Sequence, residues 1–325
     1  MVKVTVVIPN YNGIKFMEAC LEALLAQNPD TPAFQVVVVD NGSKDGSPEL
    51  IARRFPQVRI IVLASNTGFC HGVNVGIRAS KTPYVILLNN DTKVAPDFVK
   101  ALYDAIRRKP DAFSVSAKML MWDDERLVDD AGDRYCALGW AYARGKGKPA
   151  SMYQKPVEVF SACGGAAIYR REVFGEIGLF DEEHFAYLED LDIGYRAKLY
   201  GYRNYYEPSA KVIHYGSASS GSRYNEWKTG MAAANSVYVI AKNMPLWQQV
   251  LNLPFLLAGF FLKFLFFCKK GMGILYLKGL RDGVRKSMEH LPKGRSQGQT
   301  RLRFRNCLAV QGQLYANLFR ILKKF

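Results

Sequence analysis

Asparagine, aspartate and glycine gather at four points in the first 91 residues, each time directly after a short apolar run. The runs lead into Pro9-Asn10-Tyr11-Asn12-Gly13, Asp40-Asn41-Gly42-Ser43, Asn66-Thr67-Gly68-Phe69 with Asn74 beyond it, and Asn89-Asn90-Asp91. In open α/β sheets the ligand crevice lies outside the carboxyl ends of the strands, so small polar residues there are the ones to read for chemistry. Any single cluster also suits an ordinary turn; four in succession build a crevice. Asp40 can accept a hydrogen bond from a uracil or thymine ring N–H, or fold an Asx turn with Gly42. Asn66, Gly68 and Asn74 can admit a nucleotide, or simply form a turn and cap a helix. Asp91 is a lone carboxylate after a buried strand. Beside diphosphate oxygens it suits Mg²⁺ or Mn²⁺, which prefer oxygen ligands shared with substrate. His214 ends a later strand and is either a second ligand, favouring Mn²⁺, or a packed histidine. Glu189-Asp190 opens an acidic helix and is either a general base for an acceptor hydroxyl or a pair stabilised by the helix N-terminus. His184, Tyr187 and Arg196 either line that site or pack.

The elements that must hold these residues follow from spacing. Val2–Pro9, Phe34–Asp40, Val58–Leu63 and Tyr84–Asn89 are β-branched or apolar runs of strand length. Between them, Ile14, Met17, Leu21, Leu24 and Leu25 repeat at helical spacing after a capping Asn12, and Ser47-Pro48 opens a second helix. A further helix is expected to start near Pro96. Strands alternating with helices imply parallel βαβ units in a doubly wound sheet. Residues 121–160 lose the rhythm and read as an irregular excursion with a mobile loop. Order resumes at Val159–Arg170, then a helix near Glu189–Leu199, two strands near Tyr202–Tyr206 and Lys211–His214, and a polar loop at Ser217–Ser222. No GxGxxG follows the first strand and no GxxxxGK[ST] loop is present, which disfavours a dinucleotide dehydrogenase and a P-loop ATPase.

The 325 residues carry a formal net charge of +15, distributed unevenly. Residues 1–241 hold 28 Lys+Arg against 27 Asp+Glu, whereas residues 242–325 hold 16 against Asp282 and Glu289 alone. A neutral body with a basic tail argues for an anionic membrane surface and against nucleic acid as partner. Pro245–Leu262 is the longest charge-free run. It contains Gln248, Gln249, Asn252, Pro254 and Gly259, with lysines around it. In-plane or re-entrant anchoring is the favoured reading; one spanning helix and a cover for the body's core are the competitors. Ile274–Leu280 and the final Leu314, Leu318, Ile321, Leu322 and Phe325 continue the amphipathic, basic pattern. The six cysteines lack CxxC spacing and read as reduced thiols. The MVKVTVVIP start has no leader layout, so the body is expected at the cytoplasmic face of the membrane, peripheral or monotopic.

VVIPNYNG, VVVDNGSKDGS, NTGFCHGVNVGI, ILLNND, GGAAIYRREVFGEIGLFDE, LEDLDIGYRAKLYGYR and VIHYGSASSG occur in collinear order over roughly residues 3–220. Together they resemble family 2 glycosyltransferases of the GT-A fold, and within them bacterial rhamnosyltransferase-type enzymes of surface polysaccharide assembly. The resemblance implies a Rossmann-like, doubly wound, mostly parallel sheet over residues 1–241, and a basic, helical, membrane-associating extension over residues 242–325. It implies that Pro9, Tyr11, Asn12, Asp40, Asn66, Gly68, Phe69, Asn74, Asn89 and Asn90 hold a nucleoside-diphosphate sugar, a dTDP- or UDP-sugar. It places a divalent cation on Asp91, with His214 completing the site, although Asn89 stands where the metal motif usually has aspartate. It makes Asp190 the base, with Glu189 beside it, in an inverting single displacement onto a lipid-linked or glycan acceptor. The QxxRW motif of processive synthases is absent. A sugar-nucleotide nucleotidyltransferase is the competing enzyme class, though PNYNGIK lacks the basic Gly-rich loop such enzymes carry. A non-catalytic scaffold of the same fold is the other alternative.

Overall fold

A computed structural model describes residues 1–216, 225–294 and 304–323; Ser217–Ser222 and Phe325 lie outside the described residues. The chain opens with β1 (Val4–Asn10), α1 (Ile14–Leu25), β2 (Phe34–Asp40), α2 (Ser47–Arg54), β3 (Arg59–Val62), α3 (Phe69–Ala79) and β4 (Tyr84–Leu88). β1 pairs in parallel with β2 and β4, and β2 with β3. The register sets Asn10 opposite Asp40 and Val7 opposite Leu87, so the polar strand ends finish at one level. Val4, Val6 and Ile8 point to one face and Val7 to the other, all fully buried. Each such side chain contributes roughly 1.5–3 kcal/mol of burial.

Beyond β4 the chain runs through β5 (Thr92–Val94), α4 (Phe98–Arg107), β6 (Ala112–Met121), β7 (Val128–Asp130), β8 (Asp133–Cys136), β9 (Trp140–Ala143), β10 (Val157–Val159), β11 (Ala166–Arg170), α5 (Phe174–Ile177), α6 (Glu189–Tyr200) and β12 (Arg203–His214). The sheet order is β10-β12-β6-β11-β4-β1-β2-β3, with β5 on β12 and β7 on β6. β11 is antiparallel to both neighbours, so the sheet is mixed, with a parallel half around β1. The 121–160 segment corrects the sequence expectation. It is ordered: β7 extends the sheet, β8 and β9 form a separate antiparallel pair, and Leu127 bridges Pro149. The two late strands are one, β12, with a register break between Glu207 and Lys211. Two caps differ as well. Gly13 and Gly46, not Asn12 and Ser47, sit at the N-caps of α1 and α2.

The C-terminal part comprises α7 (Glu226–Asn243), α8 (Leu246–Lys269), α9 (Gly273–Gly294) and α10 (Phe304–Leu322). Residues 241 and 242 fall in the last turn of α7. Leu256 of α8 and Cys307, Val310 and Leu314 of α10 share a core cluster with Tyr135, Phe160 and Tyr195 of the body. α8 is oriented inside out. Its buried face carries Gln248, Asn252, Leu256 and Gly259, while Val250, Leu251, Leu253, Leu257, Phe261 and Leu262 are exposed. The polar groups find partners inside. Gln248 accepts from the Tyr195 hydroxyl at 3.2 Å and donates to the Cys307 carbonyl at 2.8 Å, and Asn252 and Gln311 exchange two hydrogen bonds of 2.9 Å. A Cβ on Gly259 would stand 2.1 Å from the Leu138 carbonyl oxygen, so α8 lies directly against the body. Among the described residues, α8 is the one helix long and apolar enough to cross a membrane.

Candidate active site

The strand ends interlock before any ligand is considered. Asn10 donates to Asp40 Oδ1 at 2.7 Å and to Ser47 Oγ at 2.8 Å, and Asn90 donates to Asn10 Oδ1 at 2.7 Å. The second Asp40 oxygen accepts from the Ser43 amide at 2.9 Å, the Asx-type turn. Asp40 is fully buried: one oxygen accepts from Asn10 and the other from the Ser43 amide, which leaves each oxygen a further lone pair for a ligand donor. Asn90 is buried in the same frame. Asn74 is buried with its amide bound to the Phe180 backbone and to Glu182, so it ties α3 to the segment before α6. Asn12 caps no helix; its Oδ1 accepts from the Lys44 amide at 2.9 Å. Asn41, which the sequence did not single out, organises the third cluster by bonding Asn66, Thr67 and the Gly68 carbonyl. Tyr11, Asn12 and Asn66 remain exposed on the crevice side, with Pro9 and Phe69 half-buried.

Asp91 and His214 meet as the sequence reading expected. His214 Nε2 lies 3.4 Å from Asp91 Oδ1, because β5, just after Asp91, pairs with the end of β12. His214 Nδ1 lies 2.8 Å from Asp129 Oδ2. Burial disfavours the charged imidazole, but its hydrogen bonds to Asp129 and Asp91 outweigh this and raise His214 to about 9. Burial also opposes ionisation of Asp129, yet bonds to His214 and Lys146 lower it to about 2. An oxygen ligand, an imidazole nitrogen and a carboxylate orienting that imidazole from behind form a donor set that fits Mn²⁺ or Mg²⁺. Asp129 was missed because it sits in the stretch read as irregular. A second acid–histidine group, Asp181, His184 and Asp192, also has ligand atoms close together. There Lys242 contacts both carboxylates, Arg196 binds Asp192 at 2.6 Å, and the Asn243 amide donates to Asp192 at 2.7 Å. Cationic side chains already neutralise this group, so it joins α6 to α7 and Arg196 packs there.

Glu189 and Asp190 open α6, and two adjacent glycines make room beside them. A Cβ on Gly164 would stand 2.4 Å from Asp190 Oδ1, and one on Gly165 3.0 Å from Asn89 Nδ2. The backbone of these two residues thus separates the base candidate from the end of the Asn89-Asn90-Asp91 turn. Asp190 Oδ1 and Glu189 Oε2 are buried without a hydrogen-bond partner, which natural proteins rarely leave without a reason. Burial pushes Glu189 up to about 7. Burial and the adjacent Glu189 hold Asp190 well above the usual carboxylate range. Asp130 and Asp133, either side of the turn between β7 and β8, add to the acidic surroundings. Burial and Asp190 push Asp133 up to about 7. An orphaned, raised carboxylate is suited to take a proton near neutral pH. Gly164→Ala is expected to displace that carboxylate and lower kcat about 10²-fold, with nucleotide affinity unchanged by calorimetry. Unaltered kcat would show that Gly164 does not set the position of Asp190.

Comparison with known proteins shows the family and the fold. The model of glycosyl transferase family 2 matches residues 5–178. N-acetylglucosaminyl-diphospho-decaprenol L-rhamnosyltransferase of Mycobacterium tuberculosis (strain ATCC 25618 / H37Rv) is 31% identical over 214 residues, spanning 57% of this chain and 68% of that protein. O-antigen biosynthesis protein RfbC of Myxococcus xanthus is 26% identical over 230 residues, spanning 67% of this chain and 18% of its own length. Among solved structures, GalNAc-T7 with UDP, GalNAc and Mn²⁺ superposes with a TM-score of 0.62 at 16% identity, over 77% of this chain and 49% of that one. S. aureus TarS 1-349 in complex with UDP-GlcNAc gives 0.59 at 19%, over 89% and 83%. These two likenesses show the fold, a GT-A-like α/β sheet followed by helices. The family match covers more than half of the chain, and the protein belongs to glycosyl transferase family 2.

Proposed function

We propose that this enzyme moves a sugar, with inversion, from a dTDP- or UDP-sugar to a hydroxyl of a lipid-linked glycan acceptor in cell-surface polysaccharide synthesis. The observation that carries the mechanism is the unpartnered Oδ1 of Asp190, set against Gly164, with Gly165 against Asn89 at the start of the Asn89-Asn90-Asp91 turn. The nucleotide lies along Pro9, Tyr11, Asn12 and the Asn66–Phe69 turn, on the framework of Asp40, Asn74 and Asn90. Asp190 takes the proton of the acceptor hydroxyl as its oxygen bonds to the anomeric carbon. The bond from that carbon to the diphosphate oxygen breaks, and the nucleoside diphosphate leaves with the electron pair. Glu189 stands beside the base and keeps its proton affinity high. A divalent cation bound by Asp91 and His214 supplies Lewis-acid stabilisation of the departing diphosphate. Rhamnose is the donor sugar favoured by the M. tuberculosis relative's name, and an N-acetylglucosaminyl-diphospho-prenol the acceptor class.

The release assay for nucleoside diphosphate tests this reading. Wild-type enzyme with Mn²⁺ or Mg²⁺ is offered dTDP-rhamnose, UDP-sugars and GDP-mannose, with and without membrane extract. Release from one donor, stimulated by the extract, is the expected result. Silence across the panel, with no nucleotide binding by calorimetry, would leave a non-catalytic scaffold.

Residues 1–241 form the catalytic region in this reading, and residues 242–325 associate with the cytoplasmic face of the cell membrane. The inside-out α8 supports that placement. Its polar face is engaged with the body from Gln248 to Gly259, so its apolar face is left for lipid along the interface plane. Basic side chains such as Lys278 and Arg285 add roughly 1 kcal/mol each near anionic headgroups. In vesicle flotation with phosphatidylglycerol, the protein is expected to float, and the Leu257→Asp/Phe261→Asp double variant to stay at the bottom. Equal flotation of both would place the contact elsewhere.

A further inference from the structure

Three of the four residues that precede the catalytic helix have unusual backbones. Phe185, Tyr187 and Leu188 have φ of 58°, 67° and 66°, the left-handed region that bulky side chains avoid. Strain of this kind persists only where the surroundings enforce it. Here Asn235, in the middle of α7, enforces it. Its amide nitrogen donates to the carbonyls of His184, Ala186 and Tyr187 at 3.0, 2.9 and 2.8 Å. Its Oδ1 accepts from Lys286 of α9 at 3.2 Å, and Lys286 also donates to the Glu183 carbonyl.

The strained turn displays two rings. The Tyr187 ring meets Trp227, at the start of α7, edge-on at 5.6 Å, and Phe185 meets it at 6.3 Å. Phe185 also lies against Gly68, whose added Cβ would come within 2.7 Å of the ring. Trp227 is 48% exposed. The chain therefore holds an aromatic wall in an unfavourable conformation three residues before its base. The other surface tryptophan, Trp122, has its ring stacked on Tyr215 at 3.7 Å.

We propose that Tyr187 and Trp227 form the acceptor subsite, packing against the C–H face of the acceptor's sugar ring so that its hydroxyl meets Asp190. This rests on the glycosyl-transfer reading above. A pyranose presents an apolar face that rings can cover and a polar edge for a carboxylate, and the wall and Asp190 supply one group for each. The donor side is already furnished by the β1, β2 and β4 ends. Asn235 is a positioning residue for the wall.

The test uses full-length Trp227→Ala and Trp227→Phe with three readouts: donor affinity by calorimetry, slow donor hydrolysis without acceptor, and transfer to total lipid extracted from the source cells' membranes. Trp227→Ala is expected to raise the apparent KM for lipid extract at least tenfold, with donor affinity and hydrolysis within twofold of wild type. Trp227→Phe, which keeps a ring, should fall between. An equal loss of hydrolysis and transfer would assign the wall to the donor or to folding, and unchanged transfer would remove it from the site; either overturns the proposal. Wild type that binds no donor would instead overturn the transfer reading, and this inference with it.

Discussion

Asp190→Asn is expected to lower the rate of sugar transfer about a thousandfold, within the range for removing a positioned general base. That is about 4 kcal/mol of barrier. Asparagine fills the same space beside Gly164, so donor affinity should stay at the wild-type value. The pH profile adds a second signature. The base works deprotonated, and the Glu189–Asp190 pair holds its protons more tightly than ordinary carboxylates, with Glu189 at about 7. Wild-type kcat should therefore rise with pH through the neutral region and level off above it, the limb belonging to the pair jointly. The same groups act on stability with the opposite sense. A carboxyl raised in the folded state binds more protons there than in the unfolded chain, so stability falls as pH rises from the ordinary carboxylate range through about 7. In Asp190→Asn the residual rate should lose the limb, and the fall in Tm with pH should be shallower. A variant with wild-type rate and limb would remove Asp190 from the mechanism.

Asp91→Ala is expected to have the next largest effect, a loss of 10²–10³ in rate, the scale of removing one electrostatic stabiliser from a closed site. Unlike the base variant, it should weaken nucleoside diphosphate binding, and it should abolish the gain in binding that Mn²⁺ gives the wild type. Calorimetry with and without Mn²⁺ separates the two variants without reference to turnover. Asp129→Ala should weaken Mn²⁺ binding less, because Asp129 orients His214 through Nδ1. Undiminished Mn²⁺ dependence in Asp91→Ala would move the cation to another group.

The parallel half of the sheet was legible because Val, Ile and Leu runs of strand length alternate with helical repeats; β2 spans Phe34–Asp40, as its sequence implies. β6 was not legible. Ser114, Ser116 and Lys118 are buried in it and break the apolar run; Ser114 bonds Asn204 at 2.7 Å and Lys118 bonds Gln154 at 3.0 Å. The strands of 121–160 are three or four residues long, too short to show a period. Asp190, Asp91 and His214 were legible as candidates from their places at element ends, and the approach of His214 to Asp91 came from the fold. What composition could not tell was which polar group faces which way. Asp40 and Asn74 have the chemistry of ligand contacts, and both are also engaged by their neighbours in the frame beneath the crevice. Asn235 stands alone among alanines in AAANS and gives no local sign of the three carbonyls it binds. In α8 the residues alone suggest a membrane segment, while only packing reveals that its glutamine and asparagine turn inward.

In the proposed reaction, Gly164 and Gly165 put bare backbone between the leaving-group side at Asn89 and the hydroxyl side at Asp190. A divider without side chains transmits little from one side to the other. Changes that retune which activated sugar is accepted and changes that retune which glycan receives it can therefore accumulate separately along a lineage. Chimeras that exchange the β1–β4 segment between relatives, leaving α6 and α7 in place, are the natural way to recombine the two.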